Sequence, residues 1–127
     1  MTRQQIDALK RYAKAIRETL RGGPTNIEQA LAPTFKNLID EMLPTLAVGT
    51  GLTTVPEYAN DAGRPDLALV RQGQLPRAFI ELKARDKPAN PERWRVPHDK
   101  RQYERLKELA AWASCNFADF HLFARDE

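Results

Sequence analysis

The sequence predicts an α/β fold, in which a central mixed β-sheet of about four to five strands is flanked by helices. Two N-terminal segments carry apolar residues at helical spacing, residues 66–83 alternate like a β-hairpin, and a polar helical segment near residue 99 precedes a final apolar segment. The elements therefore run helix, helix, strand, hairpin, helix, strand. Because helices and strands are interspersed along the chain, we expect the strands to share one sheet on which the helices pack.

Length and composition fit one globular domain. The 127 residues are 42% hydrophobic and 29% charged, which argues against a largely disordered chain. No apolar run approaches the roughly 20 residues of a transmembrane helix, and the N-terminus lacks the apolar stretch of a signal peptide. With one cysteine, Cys115, no internal disulfide can form. We expect a cytoplasmic protein with a single domain over 1–127 and no membrane partner.

Residues 3–21 are predicted to form the first helix. Apolar side chains recur there at steps of three and four, at Ile6, Leu9, Ala13, Ile16 and Leu20, while the opposite face is basic. A Gly-Gly-Pro sequence at 22–24 ends the segment. The basic face fits either a solvated helix surface or a contact with phosphates. We treat 1–24 as an N-terminal helix and 25–127 as the core of the domain.

A second helix is predicted from Thr25 to about Met42. Thr25 and Glu28 have the spacing of a capping box, in which each side chain binds a backbone N–H of the first turn. Pro33 lies inside the apolar pattern and is expected to kink or divide the helix. Pro44 follows the pattern and marks its end.

The β signals follow the second helix. Residues 52–58 could form a strand, which Pro56 would confine to an edge or an end of the sheet. Residues 60–63 are a turn signal, and strands at 66–70 and 77–83 flank a turn at 72–74. Residues 84–98 are polar and proline-rich, which predicts a loop. A helix over 99–113 and a strand over 117–123 complete the pattern.

Three charged residues of the hairpin form the pattern that indicates chemistry. Glu81 and Lys83 point the same way, about 6.7 Å apart along their strand, while Ile80 and Leu82 point the other way. Asp66 begins the neighbouring strand, so pairing across the turn can bring its carboxylate beside Glu81. Two carboxylates and an ammonium suit a divalent cation that binds a scissile phosphate. The alternative is a solvated ion pair of little consequence.

These residues resemble the motifs of the PD-(D/E)xK nuclease superfamily, with Pro65-Asp66 as the first motif and Glu81-Leu82-Lys83 as the second. The segments 60–66, 80–83, 98–102 and 116–125 look like the N-terminal nuclease domain of single-polypeptide restriction–modification proteins. In those proteins the nuclease is joined to an adenine-specific DNA methyltransferase. The resemblance runs from about Thr25 to the C-terminus and implies a restriction-endonuclease-like core.

The resemblance also implies roles for individual residues. Asp66 and Glu81 would be metal ligands for Mg²⁺, with Mn²⁺ as a substitute, and the backbone carbonyl of Leu82 a further ligand. Lys83 would be a catalytic lysine. Glu28 matches an acidic residue that many of these nucleases place at the metal, the alternative being the capping box. Gln102 matches a polar helix residue that faces the site, the alternative being a surface glutamine.

The basic charge is concentrated beside this motif. The whole chain has 20 Lys and Arg against 17 Asp and Glu, whereas residues 83–107 hold nine basic and four acidic residues. Such a segment can track a DNA backbone. The candidate DNA-binding residues are Arg85, Lys87, Arg93, Arg95, His98, Lys100 and Arg101, with His98 alternatively a neighbour of the helix cap. Trp94 either stacks on a base or anchors the loop.

We therefore expect a Mg²⁺-dependent DNA endonuclease domain of a restriction–modification system, acting in phage defence on double-stranded DNA. The alternatives are a repair or junction nuclease of the same superfamily and a DNA-binding module without activity. No methyltransferase or P-loop motif occurs in the 127 residues. We expect the chain to be a domain excised from a larger protein that supplies methyltransferase and specificity regions, or a stand-alone relative. Cutting both strands requires two such sites, which favours dimerisation or two converging enzymes.

Overall fold

The computed structural model describes residues 1–46, 51–58, 65–76, 78–109 and 111–124. The chain forms two compact units, Met1–Thr54 and Val55–Glu127, and each is described by itself. The predicted single domain over 1–127, with a boundary at residue 24, stays a prediction. Three α-helices and five strands are present in the described residues: α1 Arg3–Arg21, α2 Ile27–Met42, β1 Leu52–Pro56, β2 Leu67–Arg71, β3 Ala78–Leu82, α3 Pro97–Leu106, β4 Ala111–Cys115 and β5 Phe120–Ala124.

The first unit contains α1 and α2. The bounds of α1 match the predicted helix, which begins with a capping box between Thr2 and Gln5. A short 3₁₀ helix, Leu43–Thr45, follows α2. The buried side chains of this unit include Ile16, Leu31 and Phe35. The apolar stripe of α1 therefore packs in the core of the unit, and its basic side chains remain at the surface.

The start of α2 differs from the predicted capping box. Asn26 is the N-cap, and its side-chain oxygen accepts a hydrogen bond from the backbone N–H of Gln29. The cap therefore lies one residue later than Thr25, and Glu28 is the second helical residue rather than the third. Of the two outcomes expected of Pro33, a divided helix is wrong, since α2 continues through it, and a kink stays a prediction. Pro33 and Gln29 are both exposed, so water can reach the carbonyl that proline leaves unpaired.

The strands form one sheet in the order β1-β2-β3-β4-β5. β2 to β5 belong to the second unit, and β1 crosses the boundary after Thr54. β2 and β3 form the predicted antiparallel hairpin, with Leu67 paired to Ile80. β3 and β4 are parallel, with Glu81 paired to Ser114, and β4 and β5 are antiparallel. The prediction of a mixed sheet of four to five strands is therefore confirmed. β3 lies at its centre, with neighbours of both orientations.

The strand β4 was not predicted, because residues 99–113 were assigned to one helix. In the structure α3 begins at Pro97 and ends at Leu106, and residues 111–115 form a strand. Trp112, Ala113 and Cys115 are all buried. The sequence of a strand that is covered on both faces is a continuous apolar run. It lacks the alternation of apolar and polar residues that marks a half-exposed strand. The helical reading of Trp112 and Ala113 was therefore wrong.

The final strand begins at Phe120 rather than at residue 117. The side chain of Asn116 accepts hydrogen bonds from the backbone N–H groups of Ala118 and Asp119, which closes a turn between β4 and β5. Phe117 lies inside this turn with a φ of 71°, a left-handed conformation that a strand residue does not adopt. The turn therefore uses residues that the apolar pattern had assigned to the strand.

The helix α3 packs on the sheet through an aromatic cluster. Trp94, Leu106 and Trp112 are buried together, and Phe79, Tyr103, Leu109 and Phe123 surround them. Trp112 stacks on Phe123 with the ring centroids 4.3 Å apart. This cluster fixes α3 against β3 and β4. Among the described residues, no helix is both long enough and apolar enough to cross a membrane.

We predict that Leu106→Ala lowers the free energy of unfolding by about 2–5 kcal/mol, because it leaves a cavity under α3. Leu106 is 1% exposed, whereas Leu122 on β5 is 72% exposed and provides the matched control. Leu122→Ala is expected to change stability by less than about 0.5 kcal/mol. Urea unfolding followed by circular dichroism measures both. Equal losses in the two variants would contradict the assigned core.

Candidate active site

The hairpin brings Asp66 and Glu81 together. Continuing the register by one pair beyond Leu67 and Ile80 sets Asp66 opposite Glu81. The Asp66 carboxylate is further held by β3, because its Oδ2 accepts a hydrogen bond from the backbone N–H of Leu82 at 2.7 Å. Glu81 is 5% exposed and Asp66 is half-buried. The structure therefore places the two carboxylates side by side at the start of β2 and near the end of β3.

Both carboxyl groups are harder to ionise than in water. Burial, and then the neighbouring Asp66 carboxylate, raise the pKa of Glu81 to about 8. Burial also raises the pKa of Asp66, although the hydrogen bond from Leu82 opposes this. Glu81 Oε2 and the Oγ of Ser114, the residue paired with it on β4, are buried without a hydrogen-bond partner in the described residues. The two adjacent carboxyl groups therefore disfavour each other's ionised form, and one of their oxygens has no hydrogen-bond partner to compensate for its burial.

Lys83 is the third member of this group. It is 5% exposed, and its Nζ donates to Asp99 Oδ1 at 2.8 Å and to Gln102 Oε1 at 2.6 Å. The same Nζ lies 3.9 Å from Glu81 Oε1 and 4.6 Å from the centre of the Trp94 ring. Glu81 and Lys83 therefore do not form a solvated surface ion pair. Both side chains are buried, and residues of α3 position them.

Gln102 connects the two charges. Its Nε2 donates to Glu81 Oε1 at 2.6 Å, while its Oε1 accepts from Lys83. The carboxylate requires the donor end of the amide and the ammonium requires the acceptor end, so the orientation of the side chain is determined. Gln102 therefore contacts both Glu81 and Lys83, which does not fit the surface-glutamine alternative, and its catalytic role stays a prediction.

Asp99 belongs to the same group of side chains, although no role was predicted for it from the sequence. It is 3% exposed, and its second oxygen accepts from Lys87 Nζ at 2.9 Å. Burial alone would raise the pKa of Asp99, but the hydrogen bonds from Lys83 and Lys87 outweigh it and hold the pKa below its ordinary value. Asp99 and Gln102 are three residues apart on α3 and share one face. The spacing of three residues between Asp99 and Gln102 was the sequence signal from which the position of Asp99 could have been predicted.

The loop between β3 and α3 is held at several points. Trp94 is 2% exposed and donates its Nε1–H to the carbonyl of Pro88 at 2.8 Å. Asn116 donates to the carbonyl of Lys87 at 2.8 Å, and a 3₁₀ helix spans Pro91–Arg93. Trp94 therefore anchors the loop, and the base-stacking alternative does not fit its burial.

The candidate DNA-binding residues divide into two groups. Lys87 is half-buried and paired with Asp99. The others are exposed, namely Arg85, Arg93, Arg95, His98, Lys100 and Arg101. The anchored loop and the first turns of α3 thus present basic side chains on a backbone with buried supports. Their contact with DNA stays a prediction.

The candidate ligand atoms at this site are oxygens, the type of atom that binds a hard divalent cation. Asp66 and Glu81 supply carboxylate oxygens, one of them unsatisfied, and the predicted carbonyl ligand belongs to Leu82 at the end of β3. Such oxygen ligands, completed by waters, are those that Mg²⁺ prefers. Within the described residues, no group of three or more His, Cys, Asp and Glu side chains is placed to hold a metal. Glu28 lies in the first unit, and its role as a ligand stays a prediction.

Comparisons with known proteins concern the fold. No family model and no curated protein matches the chain. A solved structure described as a cryo-electron microscopy structure of a DrdV–DNA complex is similar, with a TM-score of 0.64 over 85% of this chain and 72% of that chain, at 21% sequence identity. At this identity the likeness shows the fold alone. Together with the five-stranded mixed sheet, it confirms the predicted α/β fold of the restriction-endonuclease-like type.

The raised pKa of Glu81 predicts a pH-dependent stability without divalent metal. Its pKa rises from 4.5 to about 8 on folding, so its contribution is complete below about pH 4.5 and is lost as the pH rises through about 8. We expect the free energy of unfolding to fall by up to about 1.4 kcal/mol per pH unit over that window. Glu81→Gln should flatten the slope, because glutamine stays neutral.

Urea unfolding in EDTA at constant ionic strength measures this slope. Glu104→Gln is the control, because Glu104 is an exposed carboxylate on α3 paired with Lys107 and should leave the slope unchanged. A Glu81→Gln protein that keeps the wild-type slope would show that Glu81 ionises normally in the folded chain.

Proposed function

We propose that this chain is a metal-dependent DNA endonuclease domain that hydrolyses phosphodiester bonds. The observation that carries the proposal is the buried group of Asp66, Glu81 and Lys83 beside an anchored loop with exposed basic side chains. Neither feature by itself indicates a nuclease. Together they provide a place for a cation, a positive charge next to it and a surface for a polyanion. The fold shared with a protein solved in complex with DNA supports the same proposal.

Asp66 and Glu81 are the proposed ligands of Mg²⁺, for which Mn²⁺ can substitute, together with the Leu82 carbonyl and Glu28. When bound, the metal would polarise the phosphate and lower the pKa of a coordinated water. The protein keeps the two carboxyl groups buried and adjacent, and burial followed by the Asp66 charge raises the pKa of Glu81 to about 8. A cation that binds both carboxylates offsets their repulsion. Metal binding and deprotonation of the pair are therefore coupled.

Lys83 is the proposed catalytic cation. Its ammonium lies near Glu81, where it can stabilise negative charge on a phosphate oxygen or orient the attacking water. Gln102 keeps the carboxylate and the ammonium at a fixed spacing through its two hydrogen bonds. The rigid placement of charges before the substrate arrives avoids the reorganisation that the same groups would undergo in water.

The proposed substrate is double-stranded DNA, and the proposed setting is a restriction–modification system. The setting follows from the resemblance of the motif segments, so methyltransferase and specificity regions of a parent polypeptide or complex are the proposed partners. Cleavage of both strands would then bring two copies of the site together. The chain's own contribution in this proposal is cleavage and contact with the DNA backbone.

Cleavage of supercoiled plasmid with Mg²⁺ or Mn²⁺ tests the proposal. We predict that the wild-type chain nicks or linearises the plasmid and that Asp66→Asn and Lys83→Met lower the rate at least 100-fold, because each removes a charge from the proposed site. Glu104→Gln, an exposed carboxylate of α3, should cleave at the wild-type rate. Wild type and Asp66→Asn giving the same plasmid pattern would contradict the endonuclease.

Metal titration by calorimetry accompanies the cleavage assay. Mg²⁺ or Mn²⁺ should bind the wild type and should bind Glu81→Gln at least tenfold more weakly. Glu28→Gln separates the remaining possibilities for Glu28, because loss of metal affinity supports a ligand and unchanged affinity argues against one. DNA binding without metal binding or cleavage would favour the non-catalytic DNA-binding alternative.

The basic loop predicts the salt dependence of DNA binding. Replacing Arg93, Arg95 and Arg101 by alanine should weaken binding and reduce the slope of log K against log salt by about 2–3, because each neutralised phosphate contributes about 0.9. The matched control replaces Lys10, Arg17 and Arg21, which are exposed on α1, and is expected to keep the slope. Fluorescence anisotropy with a labelled duplex measures both. A slope reduced by the α1 variant alone would place the DNA contact on α1 instead.

A further inference from the structure

Asp99 holds two ammonium groups at once. Its Oδ1 accepts from Lys83 Nζ at 2.8 Å and its Oδ2 accepts from Lys87 Nζ at 2.9 Å. The carboxylate is 3% exposed, so neither of its oxygens depends on water. Lys83 comes directly after β3, Lys87 from the loop and Asp99 from the first turn of α3. Three separate parts of the unit therefore converge on one buried carboxylate.

The two lysines differ in exposure. The Lys83 side chain is 6% exposed, whereas the Lys87 side chain is 37% exposed. Lys83 therefore occupies the buried side of the carboxylate, next to Glu81, and Lys87 approaches from the solvent side. The Lys83 ammonium differs from that of an exposed lysine, because the Trp94 ring and Asp99 define a single position for its Nζ.

The hydrogen bonds leave part of Lys83 free. An ammonium has three N–H donors, and Asp99 and Gln102 accept two of them. The distance of 3.9 Å to Glu81 Oε1 is too long for a hydrogen bond. Within the described residues no oxygen accepts the third N–H, and the Trp94 ring, whose centre lies 4.6 Å from Nζ, is the other group that the ammonium contacts.

Charge explains why two lysines are needed. With Asp99 alone as its partner, the positive charge of Lys83 would be cancelled within 2.8 Å. Lys87 supplies a second positive charge on the other oxygen, so the three side chains together carry a net charge of one positive unit. A buried lysine that is fixed in position within a net-positive group attracts an anion more strongly than the same lysine in an ion pair of zero net charge.

We propose that Asp99 is a positioning residue that fixes the Lys83 ammonium, and that Lys87 is the counter-charge that keeps this group net positive. The role of Lys83 rests on the proposed function, but its fixation by Asp99 does not. In the proposed endonuclease, the third N–H of Lys83 is directed to the substrate phosphate. Asp99 touches neither metal nor DNA and acts through Lys83.

The fixation is tested on the full chain without substrate, by NMR of the lysine side-chain ¹⁵NH₃⁺ groups. The Lys83 ammonium, assigned with Lys83→Met, should exchange its protons with water at least tenfold more slowly than the exposed lysines. Asp99→Asn should abolish this protection. The control pair is Glu104→Gln with Lys107→Met, which removes an exposed ion pair of 3.0 Å on the same helix and should leave the signal unchanged. Equal protection in wild type and Asp99→Asn would overturn the proposal.

A double-mutant cycle tests the functional part. Asp99→Asn should lower kcat for plasmid cleavage by about 10–100-fold with KM for DNA within about twofold, and it should cause no further loss when Lys83 is already methionine. A structural role alone would lower activity in both backgrounds. If Asp99→Asn costs the same in the Lys83→Met protein, the positioning role is wrong while the endonuclease stands.

Lys87 is tested with a charge-balanced variant, which also guards against a protein that fails to fold. Lys87→Met should lower kcat, because Asp99 then neutralises Lys83. The double variant Asp99→Asn with Lys87→Met restores the net charge, so losing Lys87 should lower kcat at least fivefold less in the Asp99→Asn protein than in the wild type. Additive losses would overturn the counter-charge role. If the wild type does not cleave, the proposed function fails, and the proton exchange of Lys83 still decides its fixation by Asp99.

Discussion

The burial of opposite charges between β3 and α3 is the constraint on which the second unit depends. A charge removed from water costs several kcal/mol unless a partner compensates for it, and the Lys83 ammonium and the Asp99 carboxylate belong to residues that are at most 5% exposed. α3 must therefore begin early enough to present Asp99 and Gln102 to the strand. Pro97 at the first helical position, and the loop anchored by Trp94, meet this requirement. The aromatic cluster beneath α3 then maintains the position of the helix.

The same constraint prepares the carboxylate pair for a ligand. Gln102 donates a hydrogen bond to Glu81 Oε1, and the Lys83 ammonium lies near the same oxygen. The other oxygen, Oε2, is buried without a hydrogen-bond partner in the described residues. Asp66 is bound to the backbone of β3 and cannot move away from Glu81 without losing that hydrogen bond. Burial, and then repulsion from the Asp66 carboxylate, therefore raise the pKa of Glu81 to about 8. A divalent cation relieves this repulsion, which is the physical basis for the proposed metal dependence.

The fold and the chemistry have different support. The fold is supported by the mixed sheet and by its likeness to a solved structure at 21% identity. The chemistry is supported by distances within this chain, above all those that join Lys83 to Asp99, Gln102 and Glu81. The exposed basic residues of the loop add a surface for a polyanion next to the site. Their backbone is supported by buried residues, so little ordering would accompany DNA binding.

The sequence by itself determined the first helix, the hairpin and its register, and hence the pairing of Asp66 with Glu81, because these depend on local periodicity and one short turn. It did not reveal β4, since a strand buried on both faces lacks an alternating pattern. Nor did it reveal that Asp99 contacts Lys83 or that Lys87 pairs with Asp99, and it left two alternatives open for Trp94. Those outcomes depend on which side chains α3 and the loop bring to β3. Only the tertiary structure decides that, because the partners of a buried charge come from distant parts of the chain.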